Sequence, residues 1–213
     1  MITERKLHYA FGNRANPRGD FDLTKWERQR PRWRQTHGTS VVEVTGPAQE
    51  CGEVDALFTR ARALSIGVVT ADCVPILIYR EDLTAIGAIH AGWRGSQSRI
   101  VESFMRSLPE ALSEASAWRA IIGPSIRACC YEVSRELLDQ FASTFPVLDR
   151  TRIEPVERHL DLIAVNQFEL DRLGVKVDSI HPDCTHCARS ASGPLYFIYR
   201  RGDRDSANSP SSR

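Results

Sequence analysis

Residues 70–95 read TADCVPILIYREDLTAIGAIHAGWRG, two apolar runs on either side of a polar turn. VPILIY (74–79) and AIGAIHA (85–91) are rich in β-branched and apolar residues, which predicts two antiparallel strands. Both runs are nearly continuously apolar, so both faces are expected to be buried within a sheet. With REDL (80–83) as the turn, Tyr79 is expected to face Thr84, Val74 to face Ile89 and Cys73 to face His90. Directly opposed side chains have Cβ atoms about 4.5–5.5 Å apart. A thiolate and an imidazole at that separation suit a zinc ion or a Cys–His nucleophile pair. The alternative without chemistry is a buried thiol beside a hydrogen-bonded imidazole. A slip of one residue would send the two groups to opposite faces.

Around this hairpin, strands and helices mix. SVVEV (40–44), IGVVT (66–70), AWRAIIG (117–123), VDSI (177–180) and LYFIYR (195–200) are predicted strands. Ile100, Phe104, Leu108 and Ala111 recur at helical spacing and predict a helix near 97–112. Further helices are predicted over 134–145 and 160–173, the second ending at Gly174. The fold class is therefore α/β in the mixed α+β sense: a single layered domain of mixed sheets flanked by helices over 1–201. The polar stretch 202–213 is expected to be a disordered tail.

The 213 residues are 42% apolar and 26% charged, with a net charge of +1. No global field favours nucleic acid or an anionic membrane. RQRPRWR (28–34) is too small a basic face for nucleic-acid binding. No apolar run approaches the roughly 20 residues of a membrane span. MITERKLHYAFGNR (1–14) lacks the apolar region of a secretory signal, so a cytoplasmic location is expected. Thiols in that compartment serve chemistry or metal before disulfides. Cys51 is isolated, and Cys129 and Cys130 are adjacent and cannot easily bond each other. Cys184-x-x-Cys187, with His181 and His186 nearby, has zinc-like spacing but lacks a clear fourth ligand, so no second zinc is expected there.

Gly92-Trp93-Arg94-Gly95 follows the second strand, with Ser96 able to cap a helix. Glycines allow close backbone approach, a helix N-terminus attracts anions, and Arg94 offers a planar cation suited to phosphate. Asp72 adjoins Cys73 as a candidate acceptor for a ligand histidine, a general base or a turn cap.

TADCVPIL (70–77), AIHAGWRG (88–95), IGPSIRACCYEV (122–133), LDL (160–162), DCT (183–185) and YFIYRR (196–201) together resemble the laccase-domain family. That group includes polyphenol oxidases, peptidoglycan editing factors and zinc-dependent purine nucleoside phosphorylases. The resemblance runs from Gln35 to Arg201 and implies a cysteine-hydrolase-like fold. It implies one zinc per chain, held by Cys73 of the ADC motif, His90 of HAGW and His37 of Gln35-Thr36-His37-Gly38. Three N and S ligands leave one position open for water, whose pKa zinc lowers toward about 7. Before His37 the chain is shorter than the family pattern, and FGNRANPRGDF (11–21) is the candidate remnant of its substrate-binding segment. Arg14 and Arg18 there, with Tyr199 and Arg200 near the other end, are candidate substrate contacts. The family's last strand has no counterpart after Arg201.

The leading expectation is a zinc enzyme of purine nucleosides, performing phosphorolysis of adenosine or inosine and deamination of adenosine, with Cys73, His90 and Asp72 as catalytic residues. Its partners are a purine nucleoside and phosphate. The alternative is an amidase editing a peptidoglycan precursor through the same Cys/His/zinc site. A copper-dependent polyphenol oxidase ranks lower, because the chain has no His-x-His pair of the kind that builds a multicopper centre. Copper remains a competing ion at a Cys/His site. A non-catalytic binding module ranks last.

Overall fold

A computed structural model describes residues 6–16 and 23–199. In chain order its first elements are α1 (Leu23–Gln29), β1 (Arg32–Arg34), β2 (Val41–Glu43), β3 (Glu50–Glu53), β4 (Ala56–Thr59), β5 (Val74–Arg80) and β6 (Ile86–Ala91). Then come α2 (Trp93–Gln97), α3 (Ile100–Arg106), β7 (Trp118–Ile122), α4 (Arg135–Thr144), α5 (Arg150–Ile153), α6 (Leu162–Leu173), β8 (Lys176–Ile180), β9 (Arg189–Ser190) and β10 (Gly193–Pro194). Six strands form one mixed sheet in the order β2-β4-β6-β5-β7-β8, parallel at its two outer pairs and antiparallel within. The mixed sheet with flanking helices is the expected fold class.

The central hairpin forms, but its register differs from the expectation. Asp82 Oδ1 accepts from Thr84 N (2.9 Å) and Thr84 Oγ1 (2.6 Å), and Leu83 adopts the left-handed region at φ 54°. The loop thereby moves on to Glu81–Thr84, closed by Arg80 N–H donating to Ala85 O (3.0 Å). Moving the loop by one residue slides the pairing by two. Val74 faces Ala91, Pro75 faces His90, and continuing the register sets Cys73 opposite Gly92. An even slide keeps every side chain on its expected face. Cys73 and His90 thus remain on the same face as diagonal neighbours, not as an opposed pair.

The other face is the main core. Phe58, Val74, Ile76, Ile78, Ile89 and Ile122 pack there against Phe104 of α3, Phe141 of α4 and Val165 of α6, all buried. On the opposite face Val44, Cys51, Val54, Leu57 and Leu64 form a smaller cluster, with Trp33 of the β1–β3 ribbon against it.

The helices begin and end where local chemistry directs. Ser134 Oγ accepts from Leu137 N (3.3 Å) at the start of α4. Asp161 Oδ1 accepts from Ile163 N (3.0 Å) and Ala164 N (2.9 Å) at the start of α6, which Gly174 closes at φ 86°. The predicted helix over 97–112 is instead broken at Arg99, which sits at φ 59° between α2 and α3. Arg99 donates to the buried Glu169 (2.6 Å) and lies 4.6 Å from the Phe145 ring centre, so tertiary contacts hold the break. After Arg106, 110–112 is only a short 3₁₀ turn.

Two predicted strands do not form. In 66–70, Gln35 replaces a neighbouring strand: its Oε1 accepts from Val69 N (2.8 Å) and its Nε2 donates to Val69 O (2.7 Å). Residues 195–199 run irregularly, with Leu195 O accepting from Arg14 N (2.9 Å) and Tyr196 Oη donating to Asp183 (2.8 Å). Arg18, Arg200 and the expected tail over 202–213 lie outside the described residues. Among the described residues no helix is long and apolar enough to cross a membrane.

Gly87 is the tightest point of the central hairpin. A Cβ there would meet Phe104 Cζ at 2.5 Å and Ile78 Cγ2 at 2.7 Å. Gly87→Ala should therefore destabilise the protein by about 1–3 kcal/mol through overpacking. An unchanged midpoint in urea unfolding would show that α3 retreats without cost.

Candidate metal centre

The centre is assembled around Asp55, just before β4. The pairing of Ala56 with Ile89 continues to Asp55 and His90, whose backbone N–H donates to Asp55 O (2.7 Å). Asp55 is fully buried and its two oxygens accept five hydrogen bonds. Oδ1 receives His90 Nδ1 (2.8 Å) and His37 N (2.9 Å). Oδ2 receives Gly38 N (2.7 Å), Thr36 N (3.1 Å) and Thr36 Oγ1 (3.2 Å). Burial pushes this carboxyl group's pKa up, but the donors from His90, Gly38 and Thr36 outweigh it and hold it at about 2. Asp55 is therefore an anion at neutral pH, and it fixes the proton of His90 on Nδ1.

The same carboxylate delivers His37. This residue occupies the left-handed region at φ 61°, a conformation that costs a non-glycine residue energy. Its N–H and those of its two neighbours all end on Asp55, and this network sustains the strained turn. The His37 and His90 rings meet edge to face with centres 4.8 Å apart. Burial first, then His90, lowers the pKa of His37 and favours its neutral, lone-pair form.

Cys73 completes the group from the N-terminal end of β5. One ligand atom each from His37, Cys73 and His90 lies within 4.8 Å of the others. Burial first, then Asp72 and Asp55, pushes the Cys73 thiol up to about 12. Without a cation it stays protonated at neutral pH, whereas a metal ion would stabilise the thiolate. Two imidazoles and one thiol are a donor set that suits a divalent metal such as zinc or copper. The fit depends on Gly92: a Cβ there would come within 2.9 Å of His37 Cδ2 and 3.0 Å of Cys73 Sγ.

The remaining candidate residues scatter. Asp72 is buried at φ 79° beside Cys73, and its Oδ1 accepts from Thr185 Oγ1 (2.9 Å). The acceptor for the His90 ring is Asp55, not Asp72. Arg94 is exposed, stacks 4.4 Å from the Trp93 ring centre, and lies near enough to lower the pKa of His37. Ser96 caps no helix: it is buried within α2, where its Oγ accepts from Asn166 Nδ2 (2.8 Å). Arg14 stands 5.1 Å from the Phe197 ring centre, and Tyr199 is exposed. Tyr131 is buried and Cys130 packs against the main core.

Asp55 had no role in the sequence reading. Its only local signal is a carboxylate directly before the apolar run Ala56-Leu57-Phe58, a poor place for an unpaired charge. Asp55→Asn would put an amide N–H₂ where only acceptors fit. The expected outcome is a 10–100-fold weaker hold on metal, the range for losing such an outer partner. Chelator competition measures it, and unchanged affinity would show that His37 and His90 are positioned without the carboxylate.

Residues 13–208 match the family described as multi-copper polyphenol oxidoreductase laccase. Purine nucleoside phosphorylase CA_C1699 of Clostridium acetobutylicum is 33% identical over 171 residues, covering 79% of this chain and 69% of that protein. Adenosine deaminase RL5, from an unknown prokaryotic organism, is 32% identical over 181 residues, with the same 79% and 69% coverage. The crystal structure of the Bacillus licheniformis hypothetical protein YfiH superposes with a TM-score of 0.69 at 29% identity, covering 81% of this chain and 69% of that one. Neisseria meningitidis NMB0706 superposes at 0.67 with 25% identity, covering 89% and 77%. Nearly the whole length matches one family, relatives exceed 30% identity, and the fold is shared: the chain belongs to the multi-copper polyphenol oxidoreductase laccase family.

Proposed function

We propose that this chain is a zinc-dependent enzyme of purine nucleosides, performing phosphorolysis of adenosine or inosine and deamination of adenosine. The observation that carries this reading is the convergence of His37, Cys73 and His90 around Asp55. The relatives named purine nucleoside phosphorylase and adenosine deaminase supply the substrate class. When bound, zinc supplies Lewis acidity and lowers the pKa of water toward about 7. His37, Cys73 and His90 are the residues that hold it. Asp55 keeps His90 in one tautomer and orientation throughout. Asp72, beside Cys73, is the carboxylate assigned to accept a proton. Arg94 is assigned to phosphate. Arg14, Tyr199 and Arg200 are assigned to the nucleoside.

A Cys73 nucleophile is the weaker alternative, because a half-buried thiol beside two carboxylates and pushed up to about 12 is a poor source of thiolate. Amide hydrolysis through the same metal is separated by substrate. Metal-replete protein should convert adenosine with phosphate to adenine or hypoxanthine, and adenosine without phosphate to inosine, as read by chromatography. Cys73→Ser and His90→Ala should each lose the metal of this centre and both activities. Inert nucleosides together with cleavage of a peptidoglycan-type amide would replace this reading with the amidase.

Arg94 separates phosphate binding from metal chemistry. Arg94→Ala removes an exposed cation and should leave the metal content intact. Phosphorolysis should fall about 10–100-fold, the effect of one charge-assisted pair of roughly 1.5–3 kcal/mol, with deamination nearly unchanged. Equal loss of both activities would instead place Arg94 in the shared nucleoside site, and no loss of either would reduce its role to stacking on Trp93.

A further inference from the structure

Four thiols meet away from the His37–Cys73–His90 centre. Cys129 and Cys130 come from the turn after β7, and Cys184 and Cys187 from the loop after β8. Their sulfur atoms all lie within 4.8 Å of one another. Cys129 Sγ is 3.6 Å from Cys130 Sγ and 4.0 Å from Cys187 Sγ. A tetrahedral ion with metal–sulfur bonds of about 2.3 Å holds its sulfurs about 3.8 Å apart. A disulfide would need about 2.05 Å, and all four cysteines are free. The spacing is that of an ion's ligand shell.

The inner wall of the cluster is already arranged for a thiolate. Arg127 N–H donates to Cys184 Sγ (3.4 Å), and the backbone N–H groups of Cys187 and His186 also point to that sulfur. Such donors commonly support metal-bound sulfur. The histidines that make Cys184-x-x-Cys187 look like a mixed site are not part of it. His181 packs edge-on between Phe11 and Tyr196, with ring centres 6.2 Å and 6.5 Å away, and its Nδ1 accepts from Asp183 N (3.3 Å).

We propose that Cys129, Cys130, Cys184 and Cys187 form a second metal site, which takes a thiophilic divalent ion of the zinc class. Four protein ligands leave no open position, so the site is structural. Thiol protons leave to solvent on binding, and no oxidant or reductant takes part. The ion clasps two loops that also hold the first centre. Thr185 N donates to Ser125 O (3.0 Å), Ile126 N donates to Asp72 O (2.9 Å), and Thr185 Oγ1 donates to Asp72 Oδ1 (2.9 Å). Asp72 directly precedes Cys73, so the clasp braces the wall from which Cys73 projects. The sequence does not suggest this four-cysteine group, because Cys129 and Cys130 are more than fifty residues from Cys184 and Cys187 and only the fold joins them.

Metal stoichiometry tests the proposal. Purified metal-replete protein should carry two zinc ions per chain by elemental analysis. Cys129→Ser and Cys187→Ser, both at exposed positions, should each reduce this to one, as should Cys73→Ser. Cys73→Ser combined with Cys187→Ser should reduce it to none, and Cys51→Ser should leave two. Cobalt(II) titration of the unaltered protein gives a readout that needs no variant. It should saturate at two equivalents, with sulfur-to-cobalt charge-transfer absorption that is largely lost in Cys187→Ser and largely kept in Cys73→Ser. One equivalent in the unaltered protein, entirely lost in Cys73→Ser, would overturn the second site. A bond between any two of the four cysteines, found by mass spectrometry of protein purified without reductant, would overturn it equally.

Discussion

A single buried carboxylate organises the candidate centre. Asp55 has no solvent exposure, yet it is ionised because five donors surround it. Burying an unpaired charge is costly, so the local fold is arranged to satisfy this one. Three of its donors are consecutive backbone N–H groups of Thr36, His37 and Gly38. They bend the loop between β1 and β2 into the conformation that carries His37 inward. A fourth is the imidazole of His90, paired with Asp55 across β4 and β6. Removal of that charge would loosen both histidines together, although Asp55 is not itself one of the three donors grouped there.

Geometry at the sheet's end then admits the third donor of the group. Cys73 and His90 lie diagonally across β5 and β6, with Gly92 in the place a directly opposed side chain would fill. The gap left by that glycine is where the His37 ring and the Cys73 sulfur come close. A strictly opposed Cys–His pair would leave less room for a third donor between them. The hairpin is thus better suited to three ligands than to a two-residue nucleophile pair.

Around this centre the chain separates scaffold from chemistry. Helices α3, α4 and α6 cover one face of the sheet, and their packing sets the positions of β5 and β6. His37 and Cys73 come from loops and His90 from β6, away from that helical layer. The adjoining four-cysteine cluster lies on loops joined to Asp72 by hydrogen bonds, so Cys73 and the four-cysteine cluster share one wall. Relatives of the family carry enzyme names.

Much of this was legible in one dimension. Apolar runs located β5, β6, β7 and β8, and Ser134, Asp161 and Gly174 marked helix ends because capping is a local hydrogen-bond pattern. The ADC, HAGW and QTHG motifs carried His37, Cys73 and His90, since ligand type is a property of the residue itself. The hairpin register was not legible: it turned on Asp82 binding Thr84, which moves the loop by one residue. Nor was Asp55, whose partners come from His90, thirty-five residues away, and from a loop held in left-handed backbone. IGVVT reads as a strand, but a side chain, Gln35, takes the place of its neighbour. The meeting of Cys129 and Cys130 with Cys184 and Cys187 is of the same kind. The sequence by itself determined which groups can bind, cap and pack. Only the tertiary structure decided which of them meet, because burial and long-range pairing are set by how the strands align and not by what lies next to them in the chain.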